Sequence, residues 1–99
     1  MEYFLECRYD ARQSFYKKAY VREEENESVI HKELVSYSTM VANYVYYKKT
    51  KKEVFEYFGN FSQTTTRHQK EFFRQNGLND KEIKKLFNEG KLIKIEGEN

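Results

Sequence analysis

The sequence has no proline, no tryptophan and a single cysteine, with four glycines and three alanines among its 99 residues. One cysteine, Cys7, excludes an internal disulfide framework and any cysteine-based zinc site. It lies in the apolar stretch Tyr3-Phe4-Leu5-Glu6-Cys7 and reads as a small half-buried core residue rather than a nucleophile. Four glycines leave little material for a backbone phosphate cradle. With no Gly/Ser/Pro linker and no repeat, residues 1–99 read as one domain. No run approaches the ~18 apolar residues that a membrane helix needs, and no apolar block follows Met1. The expected setting is therefore a reducing, cytoplasmic one.

Metal and cofactor motifs are missing as well. The two histidines, His31 and His68, fall in different elements, and no HExxH pair or Asp-rich loop accompanies them. We expect no metal and no cofactor. Cys7, His68 and Asp10 supply the residue types of a nucleophile, a base and an orienting group, but no local motif joins them. The expectation is a protein that is not an enzyme, with a hydrolase built around His68 as the remote alternative.

What is present is aromatic and charged. Nine Tyr and eight Phe stand beside only fifteen Leu, Ile and Val. Leu, Ile, Val and Phe make up 23 of 99 residues, above the roughly 20% below which highly charged chains stay disordered. Nine phenols cannot all be buried, because each buried hydroxyl needs a partner, so several Tyr belong on the surface. Net charge is +2 and the pI is about 8.6, short of the value above about 9 usual for a dedicated DNA binder.

The pattern along the chain predicts an α+β domain. Four to six antiparallel strands occupy residues of about 3–58 plus 92–96, and two short helices cover about 65–76 and 80–89. Strand-forming residues run over 3–8, followed by a connection at 10–14. Phe15 to Arg22 alternates with period two. Glu23-Glu24-Glu25-Asn26-Glu27-Ser28 reads as a solvated hairpin loop. Residues 29–37 form a strand in which neither face is cleanly apolar. Residues 40–47 form the clearest strand, Lys48 to Lys52 a turn, and Glu53 to Phe58 its partner. One of Thr64, Thr65 and Thr66 is expected to cap the first helix, and Asn76-Gly77 to end it. Asn79 with Glu82 three residues on resembles a capping box, and Gly90 ends the second helix. An antiparallel meander with helices over one face is the simplest assembly.

Two segments could make contacts. Lys48, Lys49, Lys51 and Lys52 place four ammonium groups at a hairpin tip beside Tyr46, where cations meet phosphates and rings stack on bases. Lysine-rich turns also simply solvate hairpins. From Ser62 to Arg74, the residues Gln63, Thr65, Arg67, His68, Lys70 and Arg74 gather hydrogen-bonding and cationic side chains at a strand-to-helix junction. Three successive Thr are poor helix formers, and departures from local preference concentrate at functional or strained positions. An elaborate helix cap is the competing explanation.

Two motifs carry a resemblance. Ser36-Tyr37-Ser38-Thr39-Met40-Val41-Ala42 is followed by Phe61-Ser62-Gln63-Thr64-Thr65-Thr66-Arg67-His68 and a helix ending Phe72-Phe73-Arg74-Gln75-Asn76-Gly77. This tandem is similar to small uncharacterised proteins of phages, plasmids and other mobile elements of low-GC Gram-positive bacteria. Those proteins share a Ser-Tyr-x-Thr-x-Val-Ala strand ahead of a Tyr/Trp-Ser-x-Thr-Thr-x-Arg/Lys-His helix start. Phe61 replaces the usual aromatic, and the similarity spans about residues 34–77. The group brings no activity with it. It implies a small accessory protein that acts on host machinery, with anti-CRISPR-like inhibition of a defence nuclease complex as the leading role. The expected partner is a host protein or ribonucleoprotein complex, met by the protein as a monomer or homodimer. The alternative is a small nucleic-acid-binding regulator that uses the same lysines.

Overall fold

A computed structural model describes residues 1–11 and 14–95. The strands are β1 (Glu2–Phe4), β2 (Ala19–Glu25), β3 (Val29–Ser36), β4 (Thr39–Tyr47), β5 (Lys52–Tyr57) and β6 (Lys91–Ile95). Between β5 and β6 come the helices α1 (Gln63–Gln75) and α2 (Asp80–Glu89). The strands pair in the order β1-β2-β3-β4-β5-β6, each antiparallel to the next. This is the predicted α+β meander. Residues 12 and 13 of the expected connection, and residue 96 of the expected edge strand, lie outside the described residues.

One face of the sheet is covered and the other is open. Val21, Leu34 and Ala42 occupy one cross-strand row, Tyr44 and Phe55 the next. All five belong to the core, which Phe72 and Phe73 of α1 and Ile83 and Leu86 of α2 complete. Phe73 meets Phe55 and Phe72 edge-on, at ring-centroid distances of 6.4 and 5.6 Å, an arrangement worth about 1 kcal/mol per pair beyond area burial. Residues Phe15 and Leu5 of the segment between β1 and β2 close one end of this core.

The strands differ from expectation in three places, each for a local reason. β1 is three residues long because the chain turns away after Phe4, leaving Leu5 buried in the core. β2 runs through Glu23, Glu24 and Glu25, which were expected in a loop. The phenol of Tyr3 donates to Glu23, and the ammonium of Lys48 to Glu25, so cross-strand partners hold the carboxylates in the ladder. The turn is only Asn26-Glu27-Ser28, where the Asn26 side chain accepts from the amides of Ser28 and Val29. The third is a bulge in β4: Leu34 pairs Ala42 but Val35 pairs Met40, leaving Val41 as the extra residue, while β3 keeps an unbroken alternation with both faces mixed.

Helix ends follow local chemistry. Ser62, not a threonine, caps α1 by accepting from the Thr65 amide. Asn79 and Glu82 form a reciprocal capping box on α2. Gly77 and Gly90 adopt φ of 103° and 81° after the two helices, the left-handed region that glycine enters without a Cβ penalty.

Glu82 also accepts an ion pair from Lys94 of β6 at 2.8 Å. Partial burial would raise its pKa, but the Asn79 amide and the Lys94 ammonium outweigh it and hold the carboxyl below its usual value. A depressed folded-state pKa stabilises above the unfolded pKa and is lost as pH falls through the folded one. Glu82→Gln keeps the capping geometry and removes the charge. It should cost about 0.5–1 kcal/mol at neutral pH. Urea melts should show the gap closing below about pH 4; a gap unchanged by acid would contradict the ion-pair account.

Candidate functional site

The lysine turn lies beside the acidic one. β2–β3 and β4–β5 turn at the same end of the sheet, and the Lys48 amide donates to the Ser28 carbonyl. The Lys48 ammonium is bound to Glu25 at 2.6 Å. Lys52 lies over the Tyr47 ring, 5.8 Å from its centroid. Tyr46 faces the helices and packs, partly buried, against the core. Of the expected tip of four ammonium groups and a stacking ring, the exposed cations are Lys49 and Lys51, next to a row of glutamates. Lys51 sits at φ 59°, a turn conformation.

The 62–74 junction is at the opposite end. The length of β4, eight residue steps of about 3.3 Å or roughly 26 Å, separates the turn from the N-terminal end of α1. The helix runs back toward the turn, with Asn76 hydrogen-bonded to Lys32 midway along β3. Gln63, Arg67 and Lys70 are exposed and Arg74 is half-buried. Arg67, Lys70 and Arg74 recur at i, i+3 and i+7, one outer ridge of α1. Arg67 pairs with Asp10 at 3.1 Å, and Arg74 with Asp80. Lys70 makes no ion pair among the described residues. With Tyr9, Asp10 and Glu71, these three cations line a shallow 280 Å³ groove.

Thr65 and His68 do not reach a surface. Both were expected as contact residues, and both are buried, His68 completely. The Ser36 hydroxyl is 2.8 Å from His68 Nδ1 and 3.0 Å from Thr65 Oγ1. Phe15 meets the imidazole edge-on, ring centroids 4.7 Å apart. Apposition of a serine and a histidine is the geometry of an activated nucleophile, but here Ser36 is itself only 2% exposed. A 240 Å³ cavity lined by Phe15, Tyr16, Tyr37, Thr64, Arg67 and His68 reaches the imidazole. Ser36 is not in its wall. Tyr16, Lys17 and Tyr37 around it have φ of 52°, 60° and 60°, strained for side chains of that size.

Three buried polar residues escaped the sequence reading. The Gln69 amide donates to the carbonyls of Val41 and Phe58. Val41 is the bulge residue, whose carbonyl also accepts from the Phe58 amide, and Phe58 is the first residue beyond β5. Glu71, 1% exposed, accepts from the amides of Tyr9 and Asp10 at 2.8 and 2.9 Å and from the Gln75 side chain at 2.6 Å. Ser36 is the third. Ser36 had a signal in its place in the first motif, and Gln69 in sharing a helical stripe with Phe72 and Phe73.

Two phenols have displaced pKa values. Burial, then the hydrogen bond and charge of Glu23, push Tyr3 up to about 12. Burial and Glu53, 2.6 Å from the hydroxyl, push Tyr44 up as well. Both stay protonated at neutral pH, as hydrogen-bond donors. His31 is on the open face, its Nε2 3.4 Å from Asn43 Oδ1. Among the described residues, no three His, Cys, Asp or Glu side chains gather as a metal site would require. No helix is long and apolar enough to cross a membrane.

Fold and site together define a six-stranded antiparallel meander backed by two helices, with Ser36, His68 and Glu71 internal and the exposed candidate contact residues on one ridge of α1 and one turn. The chain belongs to a family of unknown function (DUF8033), whose model matches residues 3–89. No curated protein and no solved structure matches it significantly.

Proposed function

We propose that this chain is a small non-enzymatic accessory protein of a mobile genetic element, which binds and inhibits a host macromolecular machine, foremost a defence nuclease complex. One observation carries the reading. The side chains best suited to chemistry (Ser36, His68 and Glu71) are buried in hydrogen bonds that hold the fold, while Gln63, Arg67, Lys70, Lys49 and Lys51 face outward. The lysine turn and the N-terminal end of α1 lie at opposite ends of β4, roughly 26 Å long, so a partner touching both must itself be a macromolecule. Acidic protein surface or phosphate matches them. The tandem motif supplies the mobile-element setting.

Expression in a host whose defence nuclease is active should restore phage plating. Lys70→Glu with Arg74→Glu should reverse that by at least tenfold while leaving the melting temperature within a few degrees. Capture with the tagged protein should retain its partner after nuclease treatment. Unchanged plating together with an empty capture would overturn the proposal.

A second reading, a small nucleic-acid-binding regulator, draws on the spacing of Arg67, Lys70 and Arg74, about 10 Å along one helix face. It expects affinity for DNA or RNA to fall steeply between low and moderate salt, with the slope reduced by Lys49→Ala and Lys51→Ala. No retardation at low salt would dispose of it.

A further inference from the structure

From the uncovered face of the sheet we infer that the chain pairs with a second copy of itself, sheet against sheet. The register assigns this face. Glu2, Arg22, Glu33, Asn43, Glu56 and Lys91 form one continuous cross-strand row over all six strands. The charges read −, +, −, 0, −, + from β1 to β6. Apolar side chains flank the row. Tyr20, Val35 and Met40 lie to one side, Val45, Val54 and Ile93 to the other. Val35 and Val54 are as buried as core residues, yet neither joins the cluster under the helices. Phe4, Tyr47, Ile93 and Ile95 on this face remain 40–52% exposed.

The order of charges selects the occupant. A twofold axis parallel to the strands, midway between β3 and β4, sets each strand of one copy against the strand of equal rank from the other edge. Glu2 then meets Lys91 of the second copy, Arg22 meets Glu56, and Glu33 meets Asn43. Each contact occurs twice. No like charges within the row oppose one another, although the row holds three acids and two bases. The same rotation sets Val35 against Met40, His31 against Val45 and Val29 against Tyr47. Aligned sheets pack about 10 Å apart with their strands within about 30° of parallel, which suits this axis.

The exposed area is of the right size. Six strands about 4.8 Å apart, each of about six residues rising about 3.3 Å, give the face roughly 500 Å² in plan before the relief of its side chains is counted. A standard interface covers about 800 Å² per partner. A nucleic-acid occupant fits less well, because Glu2, Glu24, Glu33 and Glu56 set four carboxylates on this face against the three cations Arg22, Lys52 and Lys91.

The test is the oligomeric state of the full chain by sedimentation at up to about 100 μM, above the micromolar-to-picomolar range of interfaces this size. The wild type should be a dimer. Arg22→Glu and Glu56→Arg should each weaken it at least about 100-fold, because each places two like-charge contacts in the interface. An equimolar mixture of the two variants should recover the dimer. In that mixed pair the two introduced side chains face each other across the axis as acid against base, and the native Arg22 and Glu56 do the same at the symmetry-related contact. Recovery on mixing also shows that neither variant is merely misfolded. A monomeric wild type would overturn the inference and leave the face to another partner. So would a dimer that both substitutions leave intact, or variants that stay monomeric when mixed.

Discussion

Replacing Glu71 with alanine should destabilise the protein by about 3 kcal/mol, although the residue is neither apolar nor near a reactive group. Its carboxylate is almost fully buried and accepts from two consecutive backbone amides, those of Tyr9 and Asp10. Gln75, one turn further along α1, donates to the same carboxylate and to the Glu6 carbonyl. Together the two side chains fasten the strand-free segment after β1 to the helix. Removing the carboxylate takes this acceptor from two part-buried amide donors, a loss of roughly 1–3 kcal/mol each. Some of that returns when water enters. Glu71→Gln retains one carbonyl acceptor and should lose about half as much. Urea denaturation gives the free energy, and hydrogen exchange at the Tyr9 and Asp10 amides locates it. Those amides should exchange orders of magnitude faster in Glu71→Ala than in wild type. A variant within about 0.5 kcal/mol of wild type would mean that the segment is held by its apolar contacts alone.

Glu71 also marks where the sequence stops being informative. Residue type predicts an exposed glutamate, and the groups that draw it inward are more than 60 positions earlier in the chain. Gln69 is the same case, its partners created by a bulge in β4 and the exit of β5. Local features were legible. Asn79, Glu82 and Gly90 delimit α2 as their spacing predicts, because a capping box and a left-handed cap need only neighbours in sequence. The glutamates of β2 misled for the opposite reason: a solvated loop is their local preference, and cross-strand partners override it. The candidate contact residues divide along the same line. That Arg67, Lys70 and Arg74 share one outer ridge follows from helical periodicity alone. That Lys48 is paired with Glu25, and that Thr65 and His68 lie inside, depends on contacts between distant segments that periodicity does not encode.

His68→Ala should lower stability by about 3 kcal/mol, and this result separates the two roles open to the residue. A catalytic histidine can be truncated with loss of turnover and little change in melting temperature. A packed one cannot. His68 is completely buried, edge-on to Phe15, with its Nδ1 in hydrogen bond to Ser36. Truncation leaves a cavity about the size of an imidazole, and buried ring-to-alanine changes cost roughly 3–5 kcal/mol where the site collapses poorly. The adjoining cavity already reaches the imidazole, so water can fill part of the void and the low end of that range applies. For a domain of this length, the melting temperature should fall by roughly 12–24 °C. Ser36→Ala should cost about 1–2 kcal/mol, because it deprives both His68 Nδ1 and the Thr65 hydroxyl of a partner. The double variant should cost less than the two single losses combined, since both remove one shared hydrogen bond. Additive losses would deny the coupling between strand and helix. A His68→Ala protein that melts within a few degrees of wild type would return the imidazole to the list of catalytic candidates and count against a purely adhesive protein.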